Sequence, residues 1–129
     1  MTAPTCPFCA LPAYRILAEN EHAFLIRDAF PISLGHSLVI PKRHLGSFFD
    51  TADAERRSLL ELLNEAKRRA TAEFSPEGFN IGINDGAAAG QTVSRLYIHL
   101  IPRFAGDVSD PRGGVRWVIP GKADYWSGQ

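Results

Sequence analysis

Cysteine, methionine and tryptophan are scarce in this sequence, with two, one and two copies among 129 residues. Two cysteines are too few for the disulfide framework of a small secreted domain. Net charge is also absent, because 14 lysine and arginine residues balance 14 aspartate and glutamate residues. No global field therefore attracts a nucleic acid polymer or an anionic membrane, so an anionic ligand has to be bound by local groups.

Long apolar runs are missing as well. No stretch approaches the roughly 20 apolar residues of a membrane-spanning helix, and the N-terminus has no basic region followed by an apolar one. These absences predict a cytoplasmic protein with no membrane partner. The chain does contain 45% hydrophobic and 22% charged residues, which is typical of a globular domain with a core. We expect residues 1–129 to form a single domain.

One long segment has the spacing of a helix, and five short segments have the composition of strands. Leucine and alanine recur every three or four residues at Leu59, Leu62, Ala66 and Ala70, which predicts a helix from about Asp53 to Phe74. Short connections favour antiparallel neighbours, so we expect an α+β fold, a meander-like sheet of about five strands with one main helix packed on it. The strands are predicted at 14–18, 23–27, 36–40, 79–83 and 93–101, followed by a loop-rich tail at 104–129.

The last predicted strand alternates between apolar and polar side chains. Successive side chains of a strand point to opposite faces, so a core can take one set and a functional site the other. The apolar set is Leu96, Ile98 and Leu100, and the polar set is Arg95, Tyr97 and His99.

The two cysteines, Cys6 and Cys9, form a Cys-x-x-Cys pair with the spacing of half a zinc site. A redox pair is the competing interpretation, although no predicted strand leads into it. Residues 1–12 are therefore a candidate zinc-binding segment.

Four segments in order carry a family resemblance. They are Cys6-Pro-Phe-Cys9, then Gly35 to His44 (GHSLVIPKRH), then Asn84 to Val93 (NDGAAAGQTV), and finally His99 to Arg103 (HLIPR). Together they resemble the histidine triad (HIT) superfamily of nucleotide hydrolases and transferases. The tail from Asp110 to Arg116 is similar to that of bacterial members grouped with dinucleoside polyphosphate hydrolases. The resemblance implies a HIT-like fold, a nucleotide or dinucleotide ligand, and a homodimer whose sheets join edge to edge.

Members of that superfamily have three histidines at alternate strand positions, and the middle one attacks the α-phosphorus. The matching residues here are Arg95, Tyr97 and His99, so the nucleophile position holds a tyrosine. A tyrosine hydroxyl has a pKa near 10 and is protonated at neutral pH. Arg95 could favour a phenolate electrostatically, and His99 could act as its base. Otherwise Tyr97 fills the space without attacking.

Three functions follow from these options. The first is a purine nucleotide or nucleoside-phosphate binding protein in which the histidine-nucleophile chemistry is lost or altered. The second is an active dinucleoside polyphosphate-type hydrolase or transferase that uses Tyr97 or water directed by His99. The third is a repurposed enzyme with a catalytic zinc centre.

The resemblance also assigns the rest of the pocket. Asp28 matches the ribose-binding carboxylate, and Phe30 and Pro31 line the base. His36 lies near the phosphate and joins Tyr97 and His99 as a candidate catalytic residue. Without the resemblance, Asp28 could equally initiate a turn, and His36 could be a core histidine. Phosphate or leaving-group contacts fall to Asn84, Gly90, Gln91 and Thr92, and Gln91 is also a candidate catalytic residue.

Arg95 has two open interpretations. It could pair with a phosphate in bidentate fashion, or it could extend to solvent or pair with an acid such as Asp107. It also affects the metal, because zinc-containing relatives use the Cys-x-x-Cys pair, a histidine matching His44, and the first triad histidine, which Arg95 replaces. Cys6, Cys9 and His44 could still hold zinc with water or another residue in the fourth position.

Overall fold

The computed structural model describes residue 6 and residues 8–128. Their strands form one antiparallel sheet. A long helix, α1 (Asp53–Phe74), connects its third and fourth strands, and a short helix, α2 (Pro120–Ala123), lies in the tail. The predicted α+β fold of about five strands and one main helix is confirmed. The strands are β1 (Ile16–Glu19), β2 (Ala23–Arg27), β3 (Ser37–Pro41), β4 (Gly78–Gly82) and β5 (Ile98–Arg103).

The strand order in the sheet is β1-β2-β3-β5-β4. The predicted meander therefore holds for β1 to β3 and fails at β4, which does not pair with β3. A short hairpin forces its two strands to pair, whereas the 22-residue helix α1 between β3 and β4 imposes no such pairing. β5 pairs with both strands and brings the last predicted segment into the middle of the sheet.

The two faces of the sheet carry different apolar clusters, as the strand alternation requires. Leu25 and Val39 face α1 and pack with its buried residues Leu59, Leu62 and Ala66. The predicted core residues Leu96, Ile98 and Leu100 join this cluster. The opposite face carries a smaller cluster formed by Ile26, Leu38 and Ile40, with Phe8, Leu11, Ile16 and Tyr97 packed against it.

Helix α1 has the bounds that the sequence predicts. Its first turn is held by Glu55, whose carboxylate accepts a hydrogen bond from the Ala52 amide at 2.8 Å. Its end is marked by Ser75 in the left-handed conformation, followed by Pro76. Neither helix in the described part of the chain has both the length and the apolar character that a membrane crossing requires.

The predicted strand at 93–101 begins later than expected, at Ile98. Upstream of it the backbone leaves the ladder, because the Arg95 amide bonds to the Val93 carbonyl at 2.7 Å and the Leu96 amide to the Leu45 carbonyl at 2.6 Å. Arg95 and Tyr97 therefore belong to an irregular segment beside the sheet. As a result, His99 lies in β5, whereas Arg95 and Tyr97 lie outside it, and the three polar side chains do not form one row.

Candidate functional site

A cavity of about 750 Å³ opens beside β4 and β5. His99 and Ile101 line it, and they alternate along β5 with the core residues Ile98 and Leu100. The cavity therefore lies on the face of the sheet away from α1. Six residues predicted from the sequence to form the site line it together: Asp28, Phe30, His36, Asn84, Tyr97 and His99.

His36 and His99 form a directed hydrogen-bond chain. The Ile32 amide donates to His36 Nδ1 at 3.3 Å, and His36 Nε2 lies 2.9 Å from His99 Nδ1. Because His36 Nδ1 accepts, the proton of the neutral ring is on Nε2, which then donates to His99 Nδ1. The proton of neutral His99 is consequently on Nε2, which has no hydrogen-bond partner among the described residues. His99 presents a donor to the cavity.

The environment keeps both rings neutral at physiological pH. Burial lowers the pKa of His36, although the nearby Asp28 carboxylate opposes this. Burial also lowers the pKa of His99, and the adjacent His36 adds to the effect.

Asp28 both shapes the loop and faces the histidines. Its Oδ1 accepts from the Phe30 amide at 2.9 Å, the turn-forming role that the sequence left open. Its Oδ2 lies 3.4 Å from His36 Nε2. The Phe30 ring is 86% exposed at the mouth of the cavity.

Tyr97 occupies the predicted nucleophile position, but its environment opposes ionisation. Burial raises the pKa of its hydroxyl, and the negative charge of Asp28 raises it further. Its ring packs edge-on against His99, with centroids 5.2 Å apart, and against Phe8 at 5.3 Å. The suggested general base is not available in the tautomer above, because His99 Nδ1 is engaged by His36 and Nε2 is protonated.

Arg95 is the main correction to the predicted site. It does not line the cavity, and its side chain is 1% exposed. Its guanidinium instead donates to the Pro41 carbonyl at 2.6 Å and to Cys9 Sγ at 3.1 Å. The predictions of a phosphate contact, a solvent-exposed side chain and an Asp107 partner are therefore wrong. Asp107 pairs with Arg103 at 2.8 Å. The Arg95 guanidinium is engaged by the carbonyl and the sulfur, and the pKa of Tyr97 is raised by burial and by Asp28, so Arg95 does not favour a phenolate.

The loop after β4 is arranged differently from the prediction. Asn84 reaches the cavity, but Gly90, Gln91 and Thr92 are absent from its described lining. The Gln91 side chain bridges the loop, accepting from the Gly86 amide at 2.8 Å and donating to the Gly46 carbonyl at 2.7 Å. It stabilises the loop in this conformation, and its hydrogen-bond partners among the described residues lie outside the cavity lining. Pro31 lines an adjacent groove together with Asp28 and His36.

Comparison with known proteins identifies the family of this chain. The family model described as HIT domain matches residues 13–106, which include all five described strands, α1 and the paired histidines. The chain belongs to the HIT domain family.

Solved HIT structures and a curated relative are similar to this chain. A HIT family protein from Bacillus anthracis is 34% identical, with a TM-score of 0.73 over 82% of this chain and 78% of that one. A Zn-bound histidine triad family protein from Mycobacterium smegmatis is also 34% identical, with a TM-score of 0.70 over 92% and 94%. An AP-4-A phosphorylase from Mycobacterium tuberculosis is 28% identical over 113 residues, which are 83% of this chain and 58% of that protein.

Two groups of side chains have the composition of a metal site. The donor atoms of Cys6, Cys9 and His44 lie within 4.8 Å of one another, so three residues of the types that bind zinc are grouped here. Pro7 and residues 1–5 of the predicted zinc-binding segment lie outside the described residues. Asp28, His36 and His99 form the second group. There the hydrogen-bond chain is the better explanation, because a protonated His36 Nε2 cannot coordinate a metal.

The C-terminal tail contributes cavity residues that sequence reasoning missed. Gly114, Val115, Trp117 and Val118 complete the lining, and Gly114 lies beside Asn80 of β4. The Trp117 indole is fixed by donating to the Arg112 carbonyl at 2.7 Å. Apolar residues concentrated in a glycine-bearing tail were the available signal.

Proposed function

We propose that this HIT-family chain binds a purine nucleotide or dinucleoside polyphosphate in the cavity, and that it has lost the family's histidine-nucleophile chemistry. One observation carries the proposal. The chain keeps the His36–His99 pair, with a donor on His99 Nε2, whereas the nucleophile position holds a tyrosine whose pKa is raised. The site can therefore recognise a phosphate without attacking it.

The lining offers groups that match each part of a nucleotide. An apolar wall containing Phe30, Trp117 and Val118 suits a base. The Asp28 carboxylate has lone pairs that can accept from ribose hydroxyls. His99 Nε2 and the Asn84 amide are donors for phosphate oxygens. The phosphate donors are neutral groups, and the carboxylate accepts hydrogen bonds from hydroxyls. None of these contacts requires a positively charged protein, so they are compatible with the zero net charge of the chain.

An active hydrolase or transferase is the second candidate, and the relative named AP-4-A phosphorylase supports testing it. Attack by Tyr97 would require loss of the hydroxyl proton, which burial and Asp28 both oppose. Water activated by His99 would require an unprotonated Nε2, which the Ile32 amide disfavours through His36. Zinc at Cys6, Cys9 and His44 would join the N-terminal segment to the sheet, since none of these residues lines the cavity.

Binding is tested by calorimetric titration of the purified protein with AMP and with diadenosine tetraphosphate. We expect both to bind, and we expect Asp28→Ala and His99→Gln to weaken affinity by about tenfold, equivalent to one lost hydrogen bond to a charged group. Asp53→Asn, at the exposed start of α1, is the matched control and keeps wild-type affinity. Absence of binding by the wild-type protein contradicts the proposal.

Loss of chemistry is tested separately, with diadenosine tetraphosphate and a nucleoside phosphoramidate as substrates. We expect little turnover by the wild-type protein and no change in Tyr97→Phe. We expect Tyr97→His to increase turnover by at least tenfold, because an imidazole supplies a lone pair at neutral pH. Turnover by the wild type that disappears in Tyr97→Phe would instead establish the tyrosine route.

The proposal includes a homodimer, as the resemblance to the family implied. Two edge strands, β1 and β4, are available to extend the sheet across an interface.

A further inference from the structure

Arg95 makes more polar contacts than any other side chain near the N-terminal cysteines. Its Nη1 approaches all three candidate metal ligands, at 3.1 Å from Cys9 Sγ, 3.7 Å from Cys6 Sγ and 3.3 Å from His44 Nδ1. Its Nη2 donates to the Pro41 carbonyl at 2.6 Å and the Lys42 carbonyl at 3.3 Å. The guanidinium thus joins the Cys-x-x-Cys segment to the end of β3.

The cost of burying a guanidinium makes these contacts informative. A buried cation is strongly unfavourable unless its donors are hydrogen-bonded. Both terminal nitrogens have partners, and of the three guanidinium nitrogens Nε alone has none among the described residues. The planar guanidinium, with its fixed donors, can contact carbonyls on one side and sulfur and imidazole on the other. A lysine ammonium, which is a compact point charge, would not bridge both groups.

The same geometry leaves no suitable position for zinc. A zinc ion needs distances of about 2.3 Å to sulfur and about 2.0 Å to imidazole, with a fourth ligand that donates a lone pair. Nη1 approaches the three ligands where that fourth ligand would be, but a guanidinium has no lone pair and carries a positive charge. A divalent cation held by the same three groups would be repelled by it.

We infer that the Arg95 guanidinium replaces the metal ion at this site, so that Cys6, Cys9 and His44 form a metal-free closure of the N-terminal segment. This inference is independent of the proposed nucleotide binding. The cluster is connected to the cavity by Phe8, which lies between the two cysteines in the sequence and packs on the cavity residue Tyr97. The cluster therefore positions one wall of the nucleotide cavity without a bound metal.

The first experiment measures zinc by elemental analysis in wild-type protein purified without chelator from zinc-supplemented medium. We expect less than about 0.1 zinc per chain and a melting temperature that EDTA does not change. One zinc per wild-type chain, or a melting temperature lowered by EDTA, overturns the inference.

The second experiment restores the ligand. Arg95→His completes a Cys2His2 set, so we expect at least tenfold more zinc per chain than in the wild type and a melting temperature that EDTA lowers. Adding Cys9→Ser to Arg95→His should remove that zinc. Failure of a folded Arg95→His protein to bind zinc would contradict the position assigned to Nη1.

The third experiment tests the guanidinium itself. Arg95→Met keeps an apolar stem but removes the donors to the Pro41 carbonyl and to Cys9 Sγ, which then retains its 2.9 Å contact with His44 Nδ1. We therefore expect a melting temperature lower by about 5 °C or more, with or without zinc. Arg112→Met, at an exposed arginine paired with Asp110, is the control with little change. Equal melting temperatures for Arg95→Met and the wild type would show that the guanidinium does not hold the segment.

Discussion

The proton on His99 Nε2 depends on a backbone amide that does not touch His99. The Ile32 amide donates to His36, and this selects the His36 tautomer that donates to His99. Burial then favours the neutral form of both rings. A single N–H group in the loop between β2 and β3 thus determines which nitrogen of His99 carries the proton.

The lowered pKa values of His36 and His99 predict how stability depends on pH. In the unfolded chain both histidines titrate near 6.5, and in the folded chain they titrate lower. As pH falls through 6.5, the unfolded state therefore binds protons first, and the free energy of unfolding decreases. We expect the melting temperature to fall between pH 7.5 and pH 5.5.

Differential scanning calorimetry across this range checks the prediction. His99→Gln removes one of the two groups and should reduce the pH dependence. Tyr97→Phe is the control from the same cavity and should keep the wild-type dependence, because the raised pKa of Tyr97 lies far above this range. A melting temperature that stays constant or rises as the pH falls would contradict the assignment.

The site residues show where sequence reasoning works and where it fails. His99 was predicted from the alternation of its strand, which fixes the face of the sheet that each side chain takes, whereas Asp28 and His36 were predicted from the family resemblance. The prediction for Arg95 was wrong because it assumed that the alternation of a strand continues through residues 95 and 96. Their amides bond to the Val93 and Leu45 carbonyls and not to a neighbouring strand. Trp117 was missed because nothing in a tail without long elements predicts which surface it covers.

The loop between β2 and β3 places a cavity residue at each of its two ends, Asp28 and His36. The Asp28 amide donates to the His36 carbonyl at 3.0 Å, so these two cavity residues are also joined by their backbones. Next to His36 is Gly35, with a φ of +85° that L-residues with a side chain rarely adopt. Its α-carbon packs so closely that an added Cβ would lie 2.9 Å from Phe74 Cδ2, at the end of α1.

Gly35→Ala is therefore expected to lower the free energy of unfolding by about 2 kcal/mol or more, from the unfavourable φ and the overpacking together. Urea denaturation measures the change. Gly121→Ala in α2 is the matched control, because nothing lies within 4 Å of its added Cβ, and we expect a change below about 0.5 kcal/mol. Equal stability of the two variants would show that the loop and α1 are not closely coupled.

The two edges of the sheet differ in character. The β1 edge adjoins a charged groove formed with α1, lined by Arg27, Arg68, Arg69 and Glu73 together with Leu17. At the β4 edge, Ile81 is 50% exposed. Val115 and Val118, which line the candidate site cavity together with Ile81, are 63% and 78% exposed. An unpaired edge strand with apolar surface beside it favours association more than a charged edge does.

We therefore expect a homodimer that forms through the β4 edge. Light scattering coupled to size-exclusion chromatography should give twice the mass of 14.2 kDa for the wild-type chain. Ile81→Glu places a charge in the proposed interface and should give a monomer, because an unpaired charge buried at an interface is strongly unfavourable. Leu17→Glu on β1 is the matched control and should remain dimeric. A monomeric wild type would refute the dimer, and a monomer from Leu17→Glu alone would move the interface to β1.

Since Ile81 also lines the cavity, a dimer through β4 would bring the cavities of both protomers near the interface.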